Sequence, residues 1–206
     1  MTLEEFRKEI QRSEQIIASI RQAAYDIHEG VNQRYGSVHP YGYHLDMVAD
    51  CVKEYLPMVC DDPGEIVPVF FGAYFHDSIE DARMTYSDVM KAAKKFLDSS
   101  GALIATEIAY ALTNEKGRNR EERAGEKYFA LIRETPYAPL VKACDRLANI
   151  VFSCNEPTEL NERMKAVYRR ELDHFLTNIK SEKAEFDHRL SVPSALIAKM
   201  IKLLEG

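Results

Sequence analysis

The residues of this chain that could do chemistry gather at the end of its most apolar run. Ile66 to Phe75 (IVPVFFGAYF) carries no charged side chain, and His76-Asp77-Ser78-Ile79-Glu80-Asp81 follows it directly. A carboxylate beside an imidazole at the end of a buried segment is costly unless something compensates it. The dipeptide alone has a plain alternative, a helix end that reaches solvent. Glu80 and Asp81 weigh against that alternative, because they bring the run to four ionisable groups within six residues. If the helix continues, Glu80 lies one turn beyond His76 and Asp81 one turn beyond Asp77. Like charges crowded in this way repel one another, and a bound divalent cation relieves them.

Such a cation needs ligands from elsewhere in the chain. His44 opens the segment His44-Leu45-Asp46-Met47-Val48-Ala49, and Asp145 interrupts the apolar stripe of Val141-Lys142-Ala143-Cys144-Asp145-Arg146-Leu147-Ala148-Asn149-Ile150. A bland account of Asp145 is an intrahelical pair with Arg146 or Lys142. Two imidazoles and two carboxylates form a mixed nitrogen and oxygen set that suits Mn²⁺, Fe²⁺, Co²⁺ or Zn²⁺ and leaves positions open for water. His28, His174 and His188 read as packing or surface residues.

The elements that must position these groups read as helices. Phe6, Ile10, Ile16, Ile17, Ile20 and Ala24 recur at helical intervals up to Gly30, which predicts one long amphipathic helix with a glycine stop. Residues 31–43 read as a loop. Helices are expected over about 44–56 and 66–78, from the Thr85 capping box to about 97, and over about 102–113, 120–134, 138–153, 158–180 and 193–204. Long β-branched alternations are absent, so the fold is expected to be all-α, a helical bundle around the buried helix that carries His76-Asp77.

Composition bounds the function. With 206 residues, 46% of them hydrophobic, the chain can bury one substantial core, and with neither repeat nor linker it reads as a single domain over 1–206. Cys51, Cys60, Cys144 and Cys154 form no CxxC pair and read as reduced, mostly buried thiols, which suits a cytoplasmic protein. The charged start (MTLEEFRKEI) and the absence of a long apolar run give no sign of a signal peptide or membrane anchor. A formal charge of −6 argues against a sequence-independent grip on long nucleic acid. It leaves room for a small phosphorylated substrate, provided that a metal and local arginines reverse the field in one cleft.

The order His44, His76-Asp77, Asp145 on a helical chain resembles the HD phosphohydrolase superfamily. The likeness extends further, to the (p)ppGpp hydrolase domains of RelA/SpoT proteins. His76 to Asp81 matches their HDxxED motif, Pro40-Tyr41-Gly42-Tyr43-His44 with Val48-Ala49 resembles their PYxxH...VA segment, and Asp145-Arg146-Leu147-Ala148-Asn149 resembles their DRLxN. These blocks run from about residue 28 to 170, which leaves no room for a synthetase domain and makes the stand-alone small alarmone hydrolases the nearest likeness.

The resemblance implies Mn²⁺ held by His44, His76, Asp77 and Asp145, a water activated by the metal and by Glu80 and Asp81, and release of pyrophosphate from the 3′ position to leave GDP or GTP. His39-Pro40 superficially resembles the family's His-Pro, but His44 alone keeps the Pro-Tyr and Val-Ala in register. Arg34 takes the place of a basic residue against guanine, with Tyr35 where the family has a lysine. Asn149 matches a nucleotide contact, and Tyr168 roughly matches a tyrosine at the sugar or base. Lys116, Arg118, Arg120 and Arg123 could meet the far phosphates or could simply be a solvated helix start. Two competing functions are an HD phosphohydrolase for another nucleotide (a 5′-nucleotidase or dNTP hydrolase) and a non-catalytic alarmone sensor, which has no need of Glu80 and Asp81. A purely structural reading predicts no stoichiometric metal.

Overall fold

Helical periodicity becomes helix almost everywhere the sequence displays it. A computed structural model describes residues 1–115, 117–156 and 158–205. Its helices are α1 (Leu3–Arg12), α2 (Glu14–Gly30), α3 (Gly42–Tyr55), α4 (Ile66–Phe75), α5 (Tyr86–Ala93), α6 (Ser99–Ala111), the short α7 (Arg120–Arg123), α8 (Glu126–Glu134), α9 (Ala138–Asn155), α10 (Glu159–Ile179) and α11 (Ser194–Glu205). The predicted loop between α2 and α3 holds a small antiparallel ribbon, β1 (Arg34–Tyr35) and β2 (His39–Pro40), with Arg34 opposite Pro40.

Short-range chemistry explains where the helices start. Thr2 and Thr85 each close a capping box, with Glu5 and Asp88 as the reciprocal partners. Asp98 and Thr158 accept hydrogen bonds from the backbone amides of Gly101 and Asn161 at the starts of α6 and α10.

Several expected boundaries shift: the helix that opens at Thr85 ends at Ala93 and not near 97, and the next begins at Ser99 and not near 102. The single N-terminal helix is two, bent at Ser13, whose hydroxyl lies 3.3 Å from a Glu9 carboxylate oxygen while the backbone ladder continues through Ser13 N to Glu9 O at 2.9 Å. The 120–134 helix is divided at Gly125, which takes the extended conformation before α8. The helix expected to reach Ser78 ends at Phe75. His76 to Asp81 then form turns in which Ser78 N donates to Phe75 O and Asp81 N to Asp77 O.

The core forms around α4, in which every residue except Val67 is buried. It packs on α2, α3, α6 and α9, and α3 packs in turn on α9. Gly72 sets the approach of α4 to α6: a Cβ there would lie 2.6 Å from Ile108 Cγ2 and 2.8 Å from Ile108 Cβ. Cys51, Cys60 and Cys144 are buried free thiols, and Cys154 is half-buried. Among the described residues no helix is long and apolar enough to cross a membrane.

Gly72→Ala tests the close approach. Overpacking at such a contact costs about 1–3 kcal/mol, against a helix-propensity gain of up to about 1 kcal/mol. A lowered urea midpoint is expected, and an unchanged or raised one would show that Ile108 gives way freely.

Candidate metal centre

Three elements bring the ionisable groups together. His44 is the third residue of α3, His76 and Asp77 immediately follow α4, and Asp145 sits midway along α9. His44 Nε2 lies 3.3 Å from His76 Nε2, 3.3 Å from Asp145 Oδ1 and 3.6 Å from Asp77 Oδ2. His76 Nε2 lies 2.8 Å from Asp77 Oδ2 and 3.9 Å from Asp145 Oδ1. With metal–ligand bonds of about 2.1 Å, neighbouring ligands stand roughly 3.0 Å apart in an octahedron and 3.4 Å apart in a tetrahedron, so these separations bracket a coordination shell. His44, His76 and Asp145 form a buried group that could hold a metal ion, and Asp77 touches both imidazoles.

The proton positions sharpen this fit. His76 Nδ1 lies 2.8 Å from Ala73 O, and a carbonyl can only accept, so Nδ1 carries the hydrogen. In the neutral ring Nε2 is then a bare lone pair aimed at the other donors, the orientation that a metal ligand needs. His44 Nδ1 is buried with no hydrogen-bond partner among the described residues. Lone pairs and carboxylates facing one another repel unless a cation sits among them. In the metal-free protein, protons fill that role. Burial opposes a charged His44, but Asp145 and Asp77 outweigh it and hold its pKa up at about 9; His76 is raised as well. Asp77 and Asp145 are held below the usual carboxylate range despite their burial, by the imidazoles and, for Asp145, first by Lys142.

A second ring of side chains fixes the first. The Tyr41 hydroxyl donates to Asp77 Oδ2. Asn149 Nδ2 donates to Asp145 Oδ1 at 2.6 Å, and Lys142 Nζ donates to Asp145 Oδ2 at 2.8 Å. Asp145 therefore has both of its expected partners, an intrahelical lysine on one oxygen and the imidazoles on the other, while Arg146 pairs with Glu171 at 2.9 Å. Tyr35 stacks on His44 with ring centroids 4.7 Å apart and donates to Asn149 Oδ1 at 3.0 Å. His28 stacks on Tyr41, and burial lowers its pKa to about 4, a neutral packing residue as the sequence suggested. His39 is excluded from the cluster, stacked on Tyr43 4.5 Å away.

Glu80 and Asp81 stand in different surroundings. The exposed Glu80 carboxylate is gripped by Asn114, whose Nδ2 lies 2.9 and 2.8 Å from its two oxygens. Asp81 is half-buried and accepts from Gln33 Nε2 at 3.2 Å. Burial, and then the charge of Asp77, raise the Asp81 pKa to about 6.

All six of these residues except the deeper-lying His76 line one cleft of about 830 Å³, together with Asn149 and Tyr168. The Arg146 guanidinium lies 5.2 Å over the Tyr168 ring. Arg34 is exposed on β1 and is not among the lining residues described. Of the basic cluster, Arg123 lines the cleft and Arg118 is paired with Glu122, while Lys116 and the side chain of Arg120 lie outside the described residues. Sequence reasoning missed Tyr41 and undervalued Lys142. Each lies three residues before a cluster member, His44 and Asp145, a spacing that places side chains on one helical face. No protein-family model matches the chain, and no curated protein matches it in sequence.

To bind a cation through Nε2 an imidazole must release its proton. At a pH below the His44 value of about 9, titration with Mn²⁺ is expected to release roughly one proton or more per ion, with affinity rising as pH approaches that value. Calorimetry in two buffers of different protonation enthalpy counts the protons. Binding without proton release would show that the imidazoles are already neutral in the free protein, so that protons do not occupy the cluster.

Proposed function

We propose that this chain is a single-domain, metal-dependent phosphohydrolase of the HD type that removes the 3′-pyrophosphate of ppGpp or pppGpp, yielding GDP or GTP and pyrophosphate in the cytoplasm. One observation carries the reading: His44, His76, Asp77 and Asp145 converge beside a nucleotide-sized cleft that also receives Glu80 and Asp81. A merely structural cluster gives no reason to bring a carboxylate pair to the same opening. Mn²⁺ suits the mixed donors, and such a cation, when bound, acidifies water and polarises a phosphoryl oxygen.

The chain's own residues would do the rest. Asp81, with a pKa of about 6, is poised to accept a proton from the attacking water near neutral pH, and Glu80, held by Asn114, orients that water. The water oxygen bonds to the phosphorus next to the ribose, the P–O3′ bond breaks, and O3′ takes up a proton. Tyr168 and Asn149 border the space for the nucleoside.

Two observations favour a second reading, an HD phosphohydrolase for another nucleotide. Arg34 is outside the cleft lining described, and both ends of the Asn149 amide are engaged, by Tyr35 and by Asp145. Assay of the Mn²⁺-loaded protein against ppGpp, nucleoside monophosphates and dNTPs separates the two. Pyrophosphate release from ppGpp alone is expected, abolished in Asp77→Ala and slowed about 10²-fold in Glu80→Gln with metal content retained. Turnover of the other nucleotides with no pyrophosphate from ppGpp would select the second reading.

A further inference from the structure

Four carboxylates, Asp77, Glu80, Asp81 and Asp145, border the metal end of the cleft. A divalent cation leaves that end negative, and a pyrophosphate group entering it meets net repulsion unless a further positive charge lies within reach. Among the described lining residues, Arg123 and Arg170 are exposed, and Arg146 is committed to Glu171 and lies over the Tyr168 and Phe175 rings. Lys142 is about as buried as Arg146 and, like it, is ion-paired, but its partner Asp145 is itself a member of the donor cluster. The lysine side chain is 15% exposed and lines the cleft, and Nζ lies 2.8 Å from Asp145 Oδ2, the oxygen opposite the one that meets His44. The ammonium thus stands one carboxylate away from the donor cluster, with the Tyr128 ring centroid 5.6 Å to another side. An ammonium has three N–H donors; Asp145 takes one and the Tyr128 hydroxyl is a second partner, which leaves one for an incoming oxygen.

We infer that Lys142 is a catalytic residue that binds the phosphate group under attack, donating to a non-bridging oxygen beside the metal centre and neutralising the charge that develops there. The inference rests on the phosphohydrolase reading above and extends it to the residue that admits the anion. α9 then delivers both signs of charge from one face: Asp145 toward the cation and, one turn earlier, Lys142 toward the phosphate.

The test uses inorganic pyrophosphate as the probe, with wild type, Lys142→Met and Lys142→Gln. Glutamine removes the charge but can still donate to Asp145, so it separates anion binding from support of the ligand, and it serves if the methionine variant does not fold. Both variants are expected to bind Mn²⁺ within a few-fold of wild type by calorimetry. Their Mn²⁺-loaded forms are expected to bind pyrophosphate about 10- to 100-fold more weakly, and kcat/KM on ppGpp falls at least as far. Pyrophosphate affinity and turnover unchanged in Lys142→Gln would overturn the inference and leave the phosphohydrolase reading standing. Loss of Mn²⁺ binding in parallel with turnover in both variants would also overturn it, since Lys142 would then act only through Asp145. A loaded wild type that neither binds pyrophosphate nor hydrolyses ppGpp would overturn the substrate reading and this inference with it.

Discussion

The arrangement turns on an electrostatic conflict. Two imidazole nitrogens lie 2.8–3.9 Å from two carboxylate oxygens, and at least one of the imidazoles is fixed by a backbone carbonyl in the form that presents a lone pair inward. Nothing but positive charge makes that geometry stable. Protons supply it in the free protein, and a divalent ion fits the same space. Much of the surrounding structure can be understood as holding the conflict in place: the Tyr41 hydroxyl on Asp77, Asn149 and Lys142 on Asp145, and Tyr35 pressed against His44.

The scaffold answers a second demand, that groups from distant parts of the chain keep fixed positions. α4 is apolar on nearly every side because it has neighbours on nearly every side, and its C-terminal end presents His76 at the one place where α3 and α9 also converge. Ending the helix at Phe75 matters here. The turns that follow swing Glu80 outward to Asn114 while the Asp81 amide stays bonded to Asp77 O, so the two acidic residues face different surroundings. One is exposed and gripped by an amide. The other is half-buried beside a like charge, which lifts its pKa. Adjacent carboxylates are thereby given separate chemical characters.

The sequence showed most of the helices because amphipathic spacing and capping residues are local: Thr85 with Asp88 marks a helix start wherever it occurs. It also marked the four cluster residues, since an aspartate inside the apolar stripe of α9 stands out without any structure. The partners were harder to see. Whether Lys142 or Arg146 would meet Asp145 depends on the rotation of α9 against α10, where Glu171 takes the arginine. The exposure of Arg34 depends on a two-residue ribbon too short to leave a periodic signal. The break at Ser13 leaves the hydrophobic spacing of α1 and α2 untouched, so periodicity alone does not mark it.

The donors come from residues 44, 76, 77 and 145, and only the packing of α3, α4 and α9 makes them neighbours. An unfolded chain offers no such set, so a cation bound here is a ligand of the native state alone and favours folding in proportion to the logarithm of its concentration. Acid and chelators, though chemically unrelated, then loosen the same joint. The ion would act as a clasp on the tertiary structure, and each bound ion would mark a folded molecule.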